Sequence, residues 1–417
     1  MRRERIAADQ AFFAERISGR ASGRRRSTNR ARALAPHLGV DLDTWRGHPE
    51  RVVTVVGSKG KGTAATFASA ALAASGLRVG TLTSPGLRSN RERIRVDGAA
   101  ISRADYETLV QEVSGVLDRV SARLPDDGYL SPTGLFTLTA LRHFADSACD
   151  AVVLEAGMGG ASDEVSLVAP GVVVVTPVLA EHLGVLGDTV AAIAAEKAGV
   201  ITASTRDVIS ARQDDPGAEA AIRAVAKLHG CRYGEGGRSE RDASGAGTAP
   251  GLGATSARLG IAAALALLDL AGRPGPPADA LEGALGSVRL PGRLSRHRRG
   301  GQEWIVDCAT NPAAIAAAIA HVTETLGPPT AVLTFIPRHR DPAPLLEALH
   351  GQPLVLVPSG PPTGVHGGGA VMRLEAVDLD TLGHRVLALG PVYFAGELLA
   401  TLEVDCEESF RVPGSRP

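Results

Sequence analysis

The chain has 417 residues, 44% of them hydrophobic, with few aromatics and a formal net charge of −1, a profile that predicts two or three domains with sizeable cores. The balanced charge argues against a nucleic-acid partner, and the opening stretch MRRERIAADQAFFAERISGR scatters charge where a secretory leader needs an apolar core. No apolar run is read as long enough to cross a bilayer, so a cytoplasmic protein without membrane association is expected.

In chain order, residues 1–50 read as a helical preamble, with Arg24–Arg26 as a solvated turn. Val52–Val56 is a β-branched strand, followed by a glycine loop and an alanine-rich helix from Ala64 to Ser75 that stops at Gly76. Val79–Thr83 is the next strand, and Tyr106–Leu124 and Thr133–Ala145 are helices. Ala151–Leu154 and Val172–Thr176 are continuous apolar runs of the kind buried on both faces of a sheet, and Val190–Ala198 is helical. The glycine- and serine-rich stretch Gly230–Gly253 reads as a loop, and helix returns at Ser256–Leu268. A second punctuation at Gly286–Gly301 marks the domain boundary. Beyond it, Trp304–Val306, Ala331–Phe335, Leu354–Val357 and Val392–Phe394 are strand candidates, and Ala313–Leu326 and Leu345–Leu349 are helix candidates. The alternation predicts an α/β fold: a doubly wound parallel-sheet domain over residues 1–290, preamble included, then a smaller Rossmann-like α/β domain over residues 291–417.

Cys149, Cys231, Cys308 and Cys406 stand far apart without a CxxC pair and read as free thiols. Lysine is scarce: only Lys59, Lys61, Lys197 and Lys227 occur among 44 lysines and arginines. A lysine that persists against this background points to a use for its compact amine, and two of the four lie in the glycine loop.

That loop is Gly57-Ser58-Lys59-Gly60-Lys61-Gly62-Thr63, between a buried strand and a helix. Its glycines free backbone N–H groups to face a phosphate, Lys61 supplies charge, and the Thr63 hydroxyl is placed to ligate Mg²⁺, so a P-loop variant is expected. Glu155 ends one strand and His182 follows another, on the side where open parallel sheets bind ligands. A carboxylate and an imidazole there, near Thr63 or Ser84, suit a metal between triphosphate and acceptor; a salt bridge for Glu155 and a helix-capping role for His182 are the plainer alternatives.

The loop resembles the GTNGKG[ST] loop of folylpolyglutamate and dihydrofolate synthases, members of the Mur ligase superfamily. Thr83-Ser84-Pro85 with Glu92-Arg93-Ile94 and Ile101-Ser102 is similar to that family's TSPHL…ERI…IS stretch. Leu154–Gly160 with Asp163 is similar to LEVGLGGRLDATN, Leu186–Thr189 through Glu196-Lys197-Ala198-Gly199 to LGDT…EKAG, and Pro291-Gly292-Arg293 and Asp307–Pro312 to PGR and DGAHNP. The resemblance implies an ATP- and Mg²⁺-dependent ligase that activates a carboxylic acid as an acyl phosphate and joins it to an amine. It implies metal roles for Ser84, Glu155 and His182, a carbamylated Lys197 that organises the metal site, and nucleotide contacts from Arg293, Asp307 and Asn311.

The departures follow a pattern. Ser58-Lys59 replaces Thr-Asn, Gly86 replaces the histidine of TSPHL, and Glu181 stands where the family has aspartate before His182. Ala161–Ser166 keeps only Asp163 of RLDATN, and Thr255–Leu259 loses the polar residues of HQxxN. Thr310 replaces the histidine of DGAHNP, and Arg338–Asp341 is only loosely similar to DKD. Phosphate and metal positions are mostly kept while base- and substrate-contacting ones are altered. The expectation is a ligase for a specialised, non-folate acid with an amino acid or other amine, with room for a protein partner in a biosynthetic pathway. The alternatives are a degenerate nucleotide-binding partner protein and, last, a housekeeping folate enzyme.

Overall fold

The computed structural model describes residues 10–21, 23–236, 252–338, 340–360 and 371–412. These fall into two compact units. Among the described residues, the larger comprises 10–86, 90–289 and 407–412, and the smaller lies within Leu290–Cys406 together with Leu87–Ser89.

In the larger unit, helices α1 (Ala11–Ala21), α2 (Thr28–Leu34) and α3 (Leu42–Gly47) lead to strand β1 (Val52–Val56), the glycine loop and helix α4 (Lys61–Ala74). Then come β2 (Val79–Leu82), β3 (Ile94–Val96), β4 (Ala99–Ala100), α5 (Arg103–Val120), α6 (Pro132–Asp146), β5 (Ala151–Glu155) and β6 (Val172–Val175). The unit continues with α7 (Val190–Ala198), β7 (Asp207–Ser210), α8 (Pro216–Leu228), β8 (Arg232–Glu235), α9 (Leu252–Leu270) and α10 (Ala278–Gly286). The eight strands form one sheet in the order β4-β3-β2-β5-β1-β6-β7-β8. Pairing is parallel from β2 to β8, and β3 and β4 add an antiparallel edge. Every residue of β1, β5 and β6 is buried, which is why these strands read as unbroken apolar runs.

Helix α4 is buried on nearly all sides from Thr63 to Ala74, as its alanine-rich sequence requires. It packs on α9 so closely that a Cβ at Gly260 would stand 2.2 Å from the Ala64 carbonyl oxygen. Contrary to the expectation that no apolar run is long enough to cross a bilayer, α9 is so by length and composition over Gly253–Leu270; half of that stretch is buried in the fold, as befits a core helix. The reading of Gly230–Gly253 as loop is also corrected at its start, where β8 pairs in parallel with β7; residues 237–251 of that stretch lie outside the described residues.

The smaller unit holds β9 (Ser295–Arg299), β10 (Gln302–Asp307), α11 (Pro312–Leu326), β11 (Ala331–Thr334), α12 (Ala343–Ala348) and β12 (Leu354–Leu356). It ends with the short pair β13 (Ser359–Gly360) and β14 (Val371–Met372), then β15 (Arg385–Leu389) and α13 (Val392–Thr401). Its five-stranded sheet runs β12-β11-β15-β10-β9, parallel except for the edge strand β9. Alternate residues feed two cores: Trp304, Val306, Leu333 and Val386 pack with Phe394 and Leu398 on one face, and Ile305, Val332 and Leu387 pack with Ile315 and Val322 on the other. Val392–Phe394, read as a strand, is the first turn of α13. Pro391 precedes it in extended backbone, and Phe394 and Leu398 recur at helical spacing.

Candidate active site

The strand order sets three carboxyl ends side by side. β1 lies between β5 and β6; β2 lies beyond β5, while β7 and β8 continue past β6. The order therefore reverses at β1, the position at which open α/β sheets bind ligands.

Gly57 leaves β1 with φ of 133°, and a Cβ there would fall 2.0 Å from Thr176 Oγ1, so this position requires glycine. The Ser58 N–H donates to the Pro177 carbonyl at 2.9 Å, and Ser58 Oγ accepts from the Leu179 N–H at 3.0 Å. These bonds fasten the loop to the segment after β6. Lys59 lies half-buried in the turn. Gly60 (φ 86°) starts α4 without a side-chain cap, whereas Ser131 caps α6 and Thr189 caps α7. The first N–H groups of α4, with the positive end of its dipole, are thus left to an anion. Lys61 folds back over the loop, its Nζ donating to the Gly57 carbonyl at 3.0 Å.

Glu155 ends β5, 5% exposed. Its Oε2 accepts the Ser84 N–H at 2.8 Å, and a Cβ on Gly62 would stand 3.4 Å from the same oxygen. Arg93 donates to Ser84 Oγ at 2.9 Å, and its guanidinium lies over the Phe136 ring. The structure thus brings Glu155 and Ser84 to the start of α4, next to buried Thr63. His182 is exposed in left-handed backbone (φ 50°), and its carbonyl accepts the N–H groups of Val185 and Leu186, each at 3.0 Å. Among the described residues no three His, Cys, Asp or Glu side chains group as metal ligands. The chemistry of the donors, a carboxylate with two hydroxyls, fits Mg²⁺ shared with phosphate oxygens, the usual arrangement at nucleotide sites.

Lys197, on α7, is 1% exposed, and its Nζ donates to the Gly57 carbonyl at 2.8 Å and to Glu181 Oε1 at 2.9 Å. Burial pushes its ammonium below the ordinary lysine range and the Lys61 charge adds to this, with Glu181 opposing. Burial works against ionisation of Glu181, yet the Lys197 charge and hydrogen bonds from Lys197 and Ser58 hold its carboxyl below the ordinary range. The preceding residue, Glu196, accepts from the N–H and Oγ of Ser162 at 2.8 and 2.6 Å. One turn of α7 therefore anchors both the phosphate loop and the loop after β5.

Two residues that the structure packs at the candidate site are not picked out by the sequence motifs. Glu181 was noted only as a change from aspartate, although its place before His182 was the available signal. Arg26 was read as part of a solvated turn. Instead its side chain is buried: Nη1 lies 3.2 Å from Asp163 and 3.8 Å from Glu164, and Nη2 donates to the Met158 carbonyl at 2.6 Å. No local pattern distinguishes Arg26 from exposed Arg24 and Arg25; its partners lie more than 130 residues away in the chain.

Glu164 fills the space over Gly134, where a Cβ would meet its carboxyl at 2.5 Å. Its Oε1 accepts from Ser131 Oγ at 2.8 Å. Burial, then the charge of Asp163, push its carboxyl from 4.5 up to about 8. Between those values the folded chain holds a proton that the unfolded chain has lost, so stability falls as pH rises through the window and levels off above it. Glu164→Gln is expected to flatten that decline, as read from urea midpoints at pH 5 to 8.5; an unchanged slope would refute the assignment.

In the smaller unit, Asp307 ends β10 and its Oδ2 accepts the Leu294 N–H at 2.8 Å. The Cys308 N–H donates to the Gly292 carbonyl at 3.0 Å. The turn that carries exposed Arg293 is thereby fixed to the end of β10. Asn311 caps α11, its Oδ1 accepting from Ala314 N at 2.9 Å. In α9, Ser256 is fully buried with its Oγ unpaired, and Arg258 Nη2 donates weakly to Thr255 Oγ1. His339 of Arg338–Asp341 lies outside the described residues.

Comparison with known proteins agrees with this architecture. Residues 55–246 match the family described as Mur ligase middle domain. A probable bifunctional folylpolyglutamate synthase/dihydropteroate synthase of Halobacterium salinarum is 33% identical over 308 residues, 68% of this chain and 37% of the relative. The dihydrofolate synthase/folylpolyglutamate synthase of Bacillus subtilis is 34% identical over 193 residues, 45% of this chain and 44% of the relative. The chain thus spans less than half the length of these curated relatives. Among solved structures, the apo form of L. casei FPGS superposes with a TM-score of 0.72 at 25% identity, over 90% of this chain and 95% of that one. An FPGS–AMPPCP complex gives 0.75 at 24% identity, over 95% and 100%. Sheet order, glycine loop and matched region define a Mur ligase-type α/β protein. Within that class the chain belongs to the folylpolyglutamate synthase family.

Proposed function

We propose that the chain is an ATP-dependent ligase that joins a carboxylic acid to an amine through an acyl phosphate. The observation that carries this reading is the uncapped, glycine-shaped start of α4, with Lys61 over it and the Glu155–Ser84 pair beside it. A carboxylate resists attack by an amine because its oxygen leaves poorly; transfer of the γ-phosphoryl group creates a leaving group. The protein's part is charge neutralisation and alignment. In this reading Gly57–Thr63 cradle the phosphates, and Lys61 balances the charge of the outer ones. Thr63, Ser84, Glu155 and His182 are the residues that would hold Mg²⁺, which supplies charge neutralisation on the transferring group. Arg293, Asp307 and Asn311 are assigned to nucleotide binding on their match to the family motifs.

The acid in this reading is a specialised one other than folate, with an amino acid or another amine as acceptor. Support comes from Gly86, Ala161-Ser162, Thr255–Leu259 and Thr310, where family side chains are replaced. The relatives carry folylpolyglutamate synthase names, so tetrahydrofolate with glutamate is the first pair to test. Purified protein is expected to release phosphate from ATP only with Mg²⁺, an acid and an amine together. Best turnover with the folate pair would overturn the non-folate assignment. Tight ATP binding with no turnover across a broad panel would favour a non-catalytic partner protein.

A further inference from the structure

Helices α5 and α6 and the 3₁₀ turn Ala35–Leu38 border a cavity of about 470 Å³, within the usual size of small-molecule sites. Leu38, Val113, Val116 and Leu138 line it and are buried. The charged groups that line it are Arg119, Arg142 and Glu112, together with exposed His37. Arg142 is held by its bonds from Nη1 to the Leu38 carbonyl at 3.0 Å and from Nε to Asp146 at 2.7 Å, which leaves Nη2 without a partner among the described residues. Arg119 is exposed and has no hydrogen bond or ion pair among the described residues.

Two glycines shape the cavity. Gly39 has φ of 67°, and a Cβ there would stand 2.4 Å from Arg142 Nη1, so glycine lets the guanidinium pass. Gly115 lies inside the 18-residue helix α5, where glycine is unfavourable. Yet among the described residues a Cβ there would meet only Arg119 Nη1, at 3.5 Å. No close packing contact requires glycine at this position; its missing side chain keeps the cavity open. We propose that the cavity is a second ligand site, for a small monocarboxylate with an apolar body. Arg119 and Arg142 supply the planar guanidinium groups that suit a carboxylate, the buried aliphatic side chains cover the apolar body, and Glu112 disfavours a second negative charge. Leu138, Thr139 and Arg142 lie in the half of α6 that leads into the start of β5, whereas Glu155 ends β5 beside the phosphate loop. The cavity is therefore separate from the candidate active site, and its ligand is not the acid of the ligase reading.

Calorimetric titration of the intact protein with octanoate, in the absence of ATP, tests the site. Saturable binding is expected, with a rise in the melting temperature as octanoate accumulates. Octanamide, which has the same apolar body without the charge, is expected to bind at least about tenfold more weakly. Gly115→Leu fills the cavity and is expected to abolish octanoate binding while the ligand-free protein melts at or above the wild-type temperature. Arg119→Gln changes an exposed side chain and gives an independent reading should Gly115→Leu fold poorly: binding is expected to weaken about tenfold at an unchanged melting temperature. Absence of saturable octanoate binding would overturn the proposal. So would equal affinity for octanamide, or wild-type affinity in Arg119→Gln or in a folded Gly115→Leu.

Discussion

Lys61→Ala is expected to lower kcat/KM for acid-dependent ATP turnover on the order of 10²–10³-fold, the usual cost of removing one preorganised electrostatic group from a reacting centre. The folded state should hardly notice. Lys61 is half-exposed and, among the described residues, donates to two carbonyls of its own loop, Gly57 and Ser58, so the urea midpoint should move by no more than about 0.5 kcal/mol equivalent. Lys227→Ala, on the exposed last turn of α8, serves as the control and should leave both quantities unchanged. Steady-state phosphate release together with a denaturation curve checks all three statements. Equal losses in the two variants would remove Lys61 from the chemistry.

Gly57→Ala should damage stability and binding at once. The residue sits at φ 133°, and its added methyl would lie 2.0 Å from Thr176 Oγ1 and 2.8 Å from the Thr176 carbonyl oxygen. Strained backbone and overpacking combine to cost about 2–5 kcal/mol, measurable by urea or thermal unfolding. The Thr176 backbone belongs to the junction after β6, so relief requires parting the loop from that strand, and nucleotide affinity should fall with it. Gly253→Ala, where a Cβ meets no atom of the described residues within 4 Å, should be close to neutral.

Much of the fold was legible because burial wrote it locally. Val52–Val56, Ala151–Glu155 and Val172–Val175 are buried on both faces and read as runs, and the positive φ values of Gly57 and Gly60 coincide with glycines that a phosphate loop requires. The exposed or half-exposed edge elements were harder. β8 alternates exposed with half-buried residues, and Val392–Phe394 shows β-branched and aromatic character although Pro391 launches a helix there. In the site, residues on short motifs could be picked out, whereas partners set by long-range packing could not. Arg26 looks like its exposed neighbours until α6 and the loop after β5 enclose it. Glu181 gains its meaning only when α7 delivers Lys197 to it. The motif positions describe which groups are present; the sheet order decides which of them meet.

Isotope transfer tests the central claim most directly. An acid labelled with ¹⁸O in its carboxylate, supplied with amine, Mg²⁺ and ATP, is expected to deliver one ¹⁸O to the released phosphate, because the acyl phosphate expels phosphate carrying a former carboxylate oxygen. Tetrahydrofolate with glutamate and a panel of other acids and amines should be run side by side. Phosphate released without label from every pair that supports ATP turnover would contradict acyl-phosphate ligation, and absence of turnover from every pair would contradict ligase activity itself.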